Sequence, residues 1–224
     1  MKNYRSSIPK RAIERVVSTC GSGRKHKAEY ILDGKVVGVR QFYETGELEH
    51  EYGLKDGLMH GNAYRSDVPG ELLSAEPYVD GLPHGVAKQW SGDGKLIGTY
   101  TMKRGTGVDL WWAENGEGGI PYLSEARYLR NGKLHGFEWW LNDDQRSVWS
   151  ERYFQNSQKH GIERSWNQRG RLNRGFPRYW IHDRRVTKPQ YIRECEKDPS
   201  LPRYRQIDNR PTRTFPLGIK VTPR

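Results

Sequence analysis

The feature that most constrains this chain is a unit that returns about every two dozen residues. Each unit has an Asp/Asn-Gly turn, a His-Gly pair, a short alternating strand ending on an aromatic, a second polar turn and a Tyr-bearing strand. The turn copies read Asp33-Gly34-Lys35-Val36-Val37-Gly38, Asp56-Gly57-Leu58-Met59-His60-Gly61, Asp80-Gly81-Leu82-Pro83-His84-Gly85, Asn131-Gly132-Lys133-Leu134-His135-Gly136 and Asn156-Ser157-Gln158-Lys159-His160-Gly161. A shortened copy lies around Arg104-Gly105-Thr106-Gly107. The last Gly of each copy recurs after 23, 24, 22, 29 and 25 residues. Such a period marks a repeat architecture and overrides local secondary-structure preference.

Within a unit, the residues one, three and five places after the last Gly include Val86/Lys88/Trp90, Val108/Leu110/Trp112 and Phe137/Trp139/Leu141. Apolar and aromatic residues fall mostly on one parity, which is the period of a strand with one buried face. A second column follows on the returning strand: Tyr30, Tyr52, Tyr78, Tyr100, Tyr128 and Tyr153. Glu44-Thr45-Gly46, Val68-Pro69-Gly70, Gly92-Asp93-Gly94, Glu114-Asn115-Gly116, Asn142-Asp143-Asp144 and Gln168-Arg169-Gly170 read as the turns between them. A single hairpin of this length buries too little surface to be stable, so the units are expected to stack and share a continuous core. The fold class expected is all-β, tandem hairpins stacked into an elongated antiparallel sheet with a short C-terminal capping helix.

These residues resemble the MORN-repeat superfamily, specifically the variant found in YwqK-type antitoxins. The resemblance is carried by Tyr43-Glu44-Thr45-Gly46-Glu47-Leu48 through His60-Gly61, and by Trp166-Asn167-Gln168-Arg169-Gly170-Arg171-Leu172. It covers about residues 28 to 181. Val37 in place of His, Ser157 in place of Gly and the Gly-less turn at Asn142 depart from the pattern. The resemblance implies a hairpin-stack fold and an antitoxin or immunity role, in which the sheet masks a toxic partner protein.

Charge is concentrated at the ends. The net charge is +11, yet residues 1–27 contribute +7, residues 201–224 contribute +5, and the stretch between them is −1. A polyanion-binding fold more often carries a basic stripe on its body. The alternative reading is attachment of the basic termini, through Arg11, Arg15, Arg24, Lys25 and Lys27, to anionic phospholipid or nucleic acid. No run approaches the roughly 20 apolar residues that span a bilayer, and no signal-peptide pattern follows the basic start. A cytoplasmic chain is expected. Cys20 and Cys195 lie far apart without metal-type spacing, so both are read as reduced thiols.

Four segments follow: a basic arm (1–27), the repeat domain (28–186), a capping helix (187–198) and a basic, Pro-containing tail (199–224). Thr187-Lys188-Pro189-Gln190 has the form of a capping box leading into a helix over about Lys188 to Lys197, with Tyr191, Ile192 and Cys195 facing inward. The tail should be extended. A short helix is expected around Lys10 to Val17.

No GxSxG, GxxxxGK[ST] or HExxH pattern is present, and no nucleophile sits beside a base, so no enzyme, cofactor or metal is expected. His60, His84, His135 and His160 occupy the same turn in successive units; they should form a row rather than converge on an ion. Glu49/Glu51 and Asp143-Asp144 read as solvent-facing charge. The chain is therefore expected to be a non-enzymatic protein-binding module. Trp111 and Trp140 fall on the opposite parity from Trp112 and Trp139 and are the first candidates for partner contact, with Arg164 and Lys88 behind them.

Overall fold

The computed structural model describes residues 3–114 and 119–215, and they are mostly antiparallel β-strand with one short α-helix near the C-terminus. They fall into two compact units, one built on residues 3–105 and the other on 106–113 and 121–215. The expected turn at Asn115-Gly116 and the prolines Pro216 and Pro223 lie outside the described residues. No helix among the described residues is long and apolar enough to cross a membrane.

In the first unit, β1 (Ile13–Thr19), β2 (Lys25–Leu32), β3 (Lys35–Phe42), β4 (Leu48–Lys55), β5 (Leu58–Met59), β6 (Gly61–Val68), β7 (Glu71–Val79), β8 (Leu82–Pro83), β9 (Gly85–Trp90) and β10 (Leu96–Lys103) form an antiparallel meander. The second contains β11 (Thr106–Glu114), β12 (Pro121–Arg130), β13 (Lys133–Leu141), β14 (Val148–Gln155), β15 (Gln158–Lys159), β16 (Gly161–Ser165), β17 (Arg178–Ile181), β18 (Arg184–Val186) and helix α1 (Lys188–Lys197). From β12 onward each strand pairs antiparallel with its neighbour.

The turns explain the period. Asp33-Gly34, Asp56-Gly57, Asp80-Gly81, Arg104-Gly105, Asn131-Gly132, Asn156-Ser157 and His182-Asp183 all have both residues at positive φ. That is the geometry whose twist matches paired strands, and Asp/Asn-Gly adopts it at least cost. Four of these turns also reach back to the one before. The N–H groups of Gly81, Gly105, Ser157 and Asp183 donate to the carbonyls of Met59, Pro83, Leu134 and Lys159, at 2.9, 2.7, 2.8 and 2.9 Å. Where Ser157 replaces Gly, its Oγ accepts the Leu134 N–H at 3.2 Å.

Terminal segments add to the buried surface of the repeats. Each of three apolar clusters joins a sheet face to a terminal segment or borrows a residue from one. Ile8 packs on Ala28 and Tyr30; Tyr4 packs on Tyr64, Leu72, Ala75 and Trp90; Tyr191 and Leu201 pack on Ile162 and Tyr179. A single layer of strands has no second layer to bury against, so the chain ends supply it. The repeat glycines make room: a Cβ on Gly38 would lie 2.4 Å from Ile8 Cγ1, and one on Gly61 would lie 2.8 Å from Ser7 Oγ.

Two expectations at the ends are corrected. Residues 13–19 form a strand paired with β2 rather than the helix expected over Lys10 to Val17; the β-branched Ile13, Val16, Val17 and Thr19 favour extended backbone. The capping box is present, with Thr187 N–H donating to Gln190 Oε1 at 2.9 Å, but Ile192 is 40% exposed. Tyr191 and Cys195 lie four residues apart on one side of α1, and Ile192 is turned about 100° away from Tyr191. The tail is not wholly extended: Gln206–Asn209 forms a 3-10 turn and Leu201 is buried.

The turn geometry is testable. Gly81→Ala forces a Cβ into the left-handed region and should lower stability by about 1–2 kcal/mol. Gly21→Ala, with ordinary φ and open space around its Cβ, should be near neutral in the same urea titration.

Candidate functional site

The two faces of the second unit's sheet are chemically opposite. On one, Trp139 and Arg164 stand beside Glu151, and residues from the C-terminal segment cover them. Arg213 Nε donates to Glu151 Oε2 at 2.7 Å, Arg164 Nη1 donates to Glu151 Oε1 at 2.6 Å, and Trp166 Nε1 donates to the Asn209 carbonyl at 2.7 Å. Phe215 meets the Trp139 ring edge-on at 5.7 Å. Arg164, expected as a partner contact, is thus buried under the chain's own tail, because an opposing carboxylate and the returning segment both claim it.

The other face carries a row of alternating charge that runs across six strands. Asp109 on β11 pairs with Arg127 on β12, Arg127 stands opposite Glu138 on β13, and Glu138 stands opposite Arg152 on β14. Arg152 then reaches Glu163 on β16 at 3.7 Å. Arg178 on β17 faces Glu163 as the next member. The acids Asp109, Glu138 and Glu163 are buried, while Arg127 and Arg152 remain partly exposed. Directly opposed strand residues share a face, so one cross-strand register builds the whole row.

Trp111 and Trp140 lie on this same face. Trp140 stands opposite Glu125, and Arg127 lies over the Trp111 ring at 6.0 Å. Both indoles are half-buried, and Trp140 meets Trp149 edge-on at 4.9 Å. The sequence expectation that these two rings depart from the core parity holds, and the C-terminal segment contacts the opposite face. Several polar atoms here are buried without a hydrogen bond: Trp111 Nε1, Trp140 Nε1, Asp109 Oδ1 and Glu138 Oε2. The last has only an ion pair, at 3.4 Å from Arg152. Burial raises the Glu125 pKa, and Glu138 and Asp109 add to that rise against the pull of Arg127. Burial opposes the charge on Arg127, yet Asp109 and Glu125 hold its pKa above the ordinary value.

The other expected residues scatter. Lys88 is exposed on the first unit. Of the basic arm, Arg15 pairs with Glu29, Lys25 pairs with Glu14 at 2.7 Å, and Arg24 Nη1 donates to the Thr45 carbonyl at 2.9 Å. Arg11 is exposed and Lys27 half-buried on β2.

Glu51 was expected on a solvent face and is instead fully buried. It receives the Tyr4 hydroxyl, the Ser7 N–H at 3.1 Å and Arg40 Nε at 2.7 Å, so it anchors the N-terminal segment as Glu151 anchors the C-terminal one. Burial and the Glu51 bond push Tyr4 up to about 12.

Three of the four histidines sit at equivalent turn positions, while His135 lies within β13. His60, His84 and His160 close their hairpins by donating backbone N–H to Gly53, Pro77 and Tyr153. His84 Nδ1 accepts the Arg104 N–H at 3.1 Å, and His160 Nδ1 accepts the His182 N–H at 3.3 Å. His160, His182 and Asp198 bring ligand-type atoms within 4.8 Å of one another. The two imidazoles stack at 4.1 Å and 29°, which sets their lone pairs side by side instead of converging on one ion. Asp198 and Ser200 both bind His160 Nε2, leaving no Ser-His-Asp relay through the ring.

Comparison with protein-family models, curated proteins and solved structures returns no match.

Two measurements probe these sites. Glu51→Ala removes one partner of a buried ion pair and should cost about 3–5 kcal/mol, against less than about 1 kcal/mol for the more exposed Glu49→Ala. Burial, then the neighbouring His182, lowers the His160 pKa. The unfolded chain therefore binds the extra proton first, and stability should fall as pH drops below about 6.5, the ordinary His value. His160→Gln should flatten that part of the melting-temperature profile.

Proposed function

We propose that this chain is a non-enzymatic, cytoplasmic protein-binding module that grips a partner protein on the second unit's charged face, around Trp111 and Trp140. The single observation that carries this reading is the set of buried polar atoms without a hydrogen bond on that face: two indole N–H donors and two carboxylate oxygens, of which Glu138 Oε2 keeps an ion pair with Arg152. A buried group without a hydrogen bond costs about 1–3 kcal/mol, and docking that turns these side chains toward a partner's carbonyls and N–H donors relieves that cost. Indoles and arginines are also the residue types in which binding energy concentrates. The acids of the row are buried and its arginines partly exposed, so the face presents guanidinium groups that can donate to a partner's carbonyls and carboxylates. The resemblance of the repeats to MORN-variant antitoxins extends the reading: the partner is a toxin, and binding masks it. Two free cysteines are in keeping with a reducing compartment.

The test begins with capture from the native cell, identification of the partner, and titration with purified material. Trp111→Phe with Trp140→Phe keeps the rings and deletes both indole N–H groups. Affinity should fall at least about tenfold while the circular-dichroism melt is kept. Unchanged affinity overturns the reading. So does affinity that collapses with salt and is lost when Arg11, Arg24 and Lys27 are neutralised, which is the signature of attachment to a polyanion.

A further inference from the structure

The N-terminal segment, irregular and bent at Ser7 and Ile8, shows how the first unit's sheet face receives a chain through side-chain and backbone hydrogen bonds. Residues 4–8 lie across it, and Ser7 Oγ both accepts the Asn62 N–H at 2.7 Å and donates to the Asn62 carbonyl at 3.0 Å. Tyr64 donates its hydroxyl to the Arg5 carbonyl at 2.6 Å. Gly38, Gly53 and Gly61 let this segment come close.

On the same face, a groove of about 630 Å³ continues past the segment over β6, β7 and β9. Gly85 lies in its wall at φ +120, a further member of the glycine row. Arg5 and Lys88 line this groove, both exposed, and neither forms an ion pair among the described residues. No acidic side chain lines it. Asn62, Tyr64, Pro77 and Trp90 complete a wall with amide, hydroxyl and apolar surface.

The geometry points to this groove as a docking site for an extended, acidic peptide segment of a partner, whose carboxylates pair with Arg5 and Lys88. The charge is complementary in the reverse sense to the neighbouring stretch. There the sheet supplies the acid, Glu51, and the chain end supplies the donors; here the sheet and chain end supply cations and leave the acid to the ligand. Two cations separated along a groove suit a run of carboxylates, and the volume lies within the range of ordinary ligand sites. This site is built from residues of the first unit and the partner face from residues of the second, so either reading can fail alone.

The experiment uses the full chain and a fluorescein-labelled hexapeptide of alternating Glu and Asp, followed by fluorescence polarisation at low salt. The isosteric peptide of Gln and Asn should bind at least about tenfold more weakly. Arg5→Gln with Lys88→Gln should weaken the acidic peptide to the same extent, since both side chains are exposed and their loss leaves the melt unchanged. Arg11→Gln with Lys27→Gln removes equal charge elsewhere and should change affinity by less than about twofold. Equal loss in both double variants overturns the proposal, because binding then follows net charge. Displacement of the peptide by inorganic triphosphate at equal concentration also overturns it, as does no binding of the acidic peptide.

Discussion

The hydrogen bonds by which four of the turns reach back to the turn before are the interaction on which the rest of the structure depends. A two-residue reversal with both φ angles positive sets the hairpin twist, and the N–H it presents to the preceding unit fixes the next hairpin in register. The His that follows adds a second tie where its Nδ1 accepts a backbone N–H from the next turn. Register then decides everything on the faces. A slip of one residue would move Glu138 away from Arg127 and Arg152 and send Trp140 to the side that holds Trp139.

A sheet one layer thick presents two faces, and the chain uses them differently. One face in each unit is covered by a chain segment held to a carboxylate, the fully buried Glu51 in the first and the partly buried Glu151 in the second. Each carboxylate is matched by an arginine on the adjacent strand and by donors from the covering segment, which is the condition under which a buried charge is tolerated. The other face of the second unit, which no terminal segment covers among the described residues, meets its own charges by alternating their sign. That solution is only partly satisfied, and the shortfall lies beside two tryptophans.

Much of this was legible in the residues. The Asp-Gly and His-Gly spacing gave the hairpins, and Thr187 with Gln190 marked the helix start to the residue. Trp90, Trp139 and Trp166 were read as core and are buried. The buried carboxylates were not legible, because Glu49 and Glu51 share a strand face in an alternating pattern. Only the distant Tyr4 and Ser7 distinguish the second from an ordinary surface acid. Arg164 was misplaced for the same reason: its cover, Asn209 and Arg213, comes from a Pro-containing tail with no periodic signal. The charge row could have been found by lining up Arg127, Glu138, Arg152 and Glu163 across the repeats, since cross-strand neighbours alternate in sign.

The long reach of the terminal contacts sets an order of events. Hairpins close over a few residues, whereas Tyr4 meets Glu51 across 47 positions, Ser7 meets Asn62 across 55 and Arg213 meets Glu151 across 62. Loop-closure entropy makes the local pairings quick and the distant ones late. As the polypeptide leaves the ribosome, the segment around Tyr4 and Ser7 waits, undocked, until its acceptor strands have emerged, and Arg213 arrives well after the Glu151 it covers.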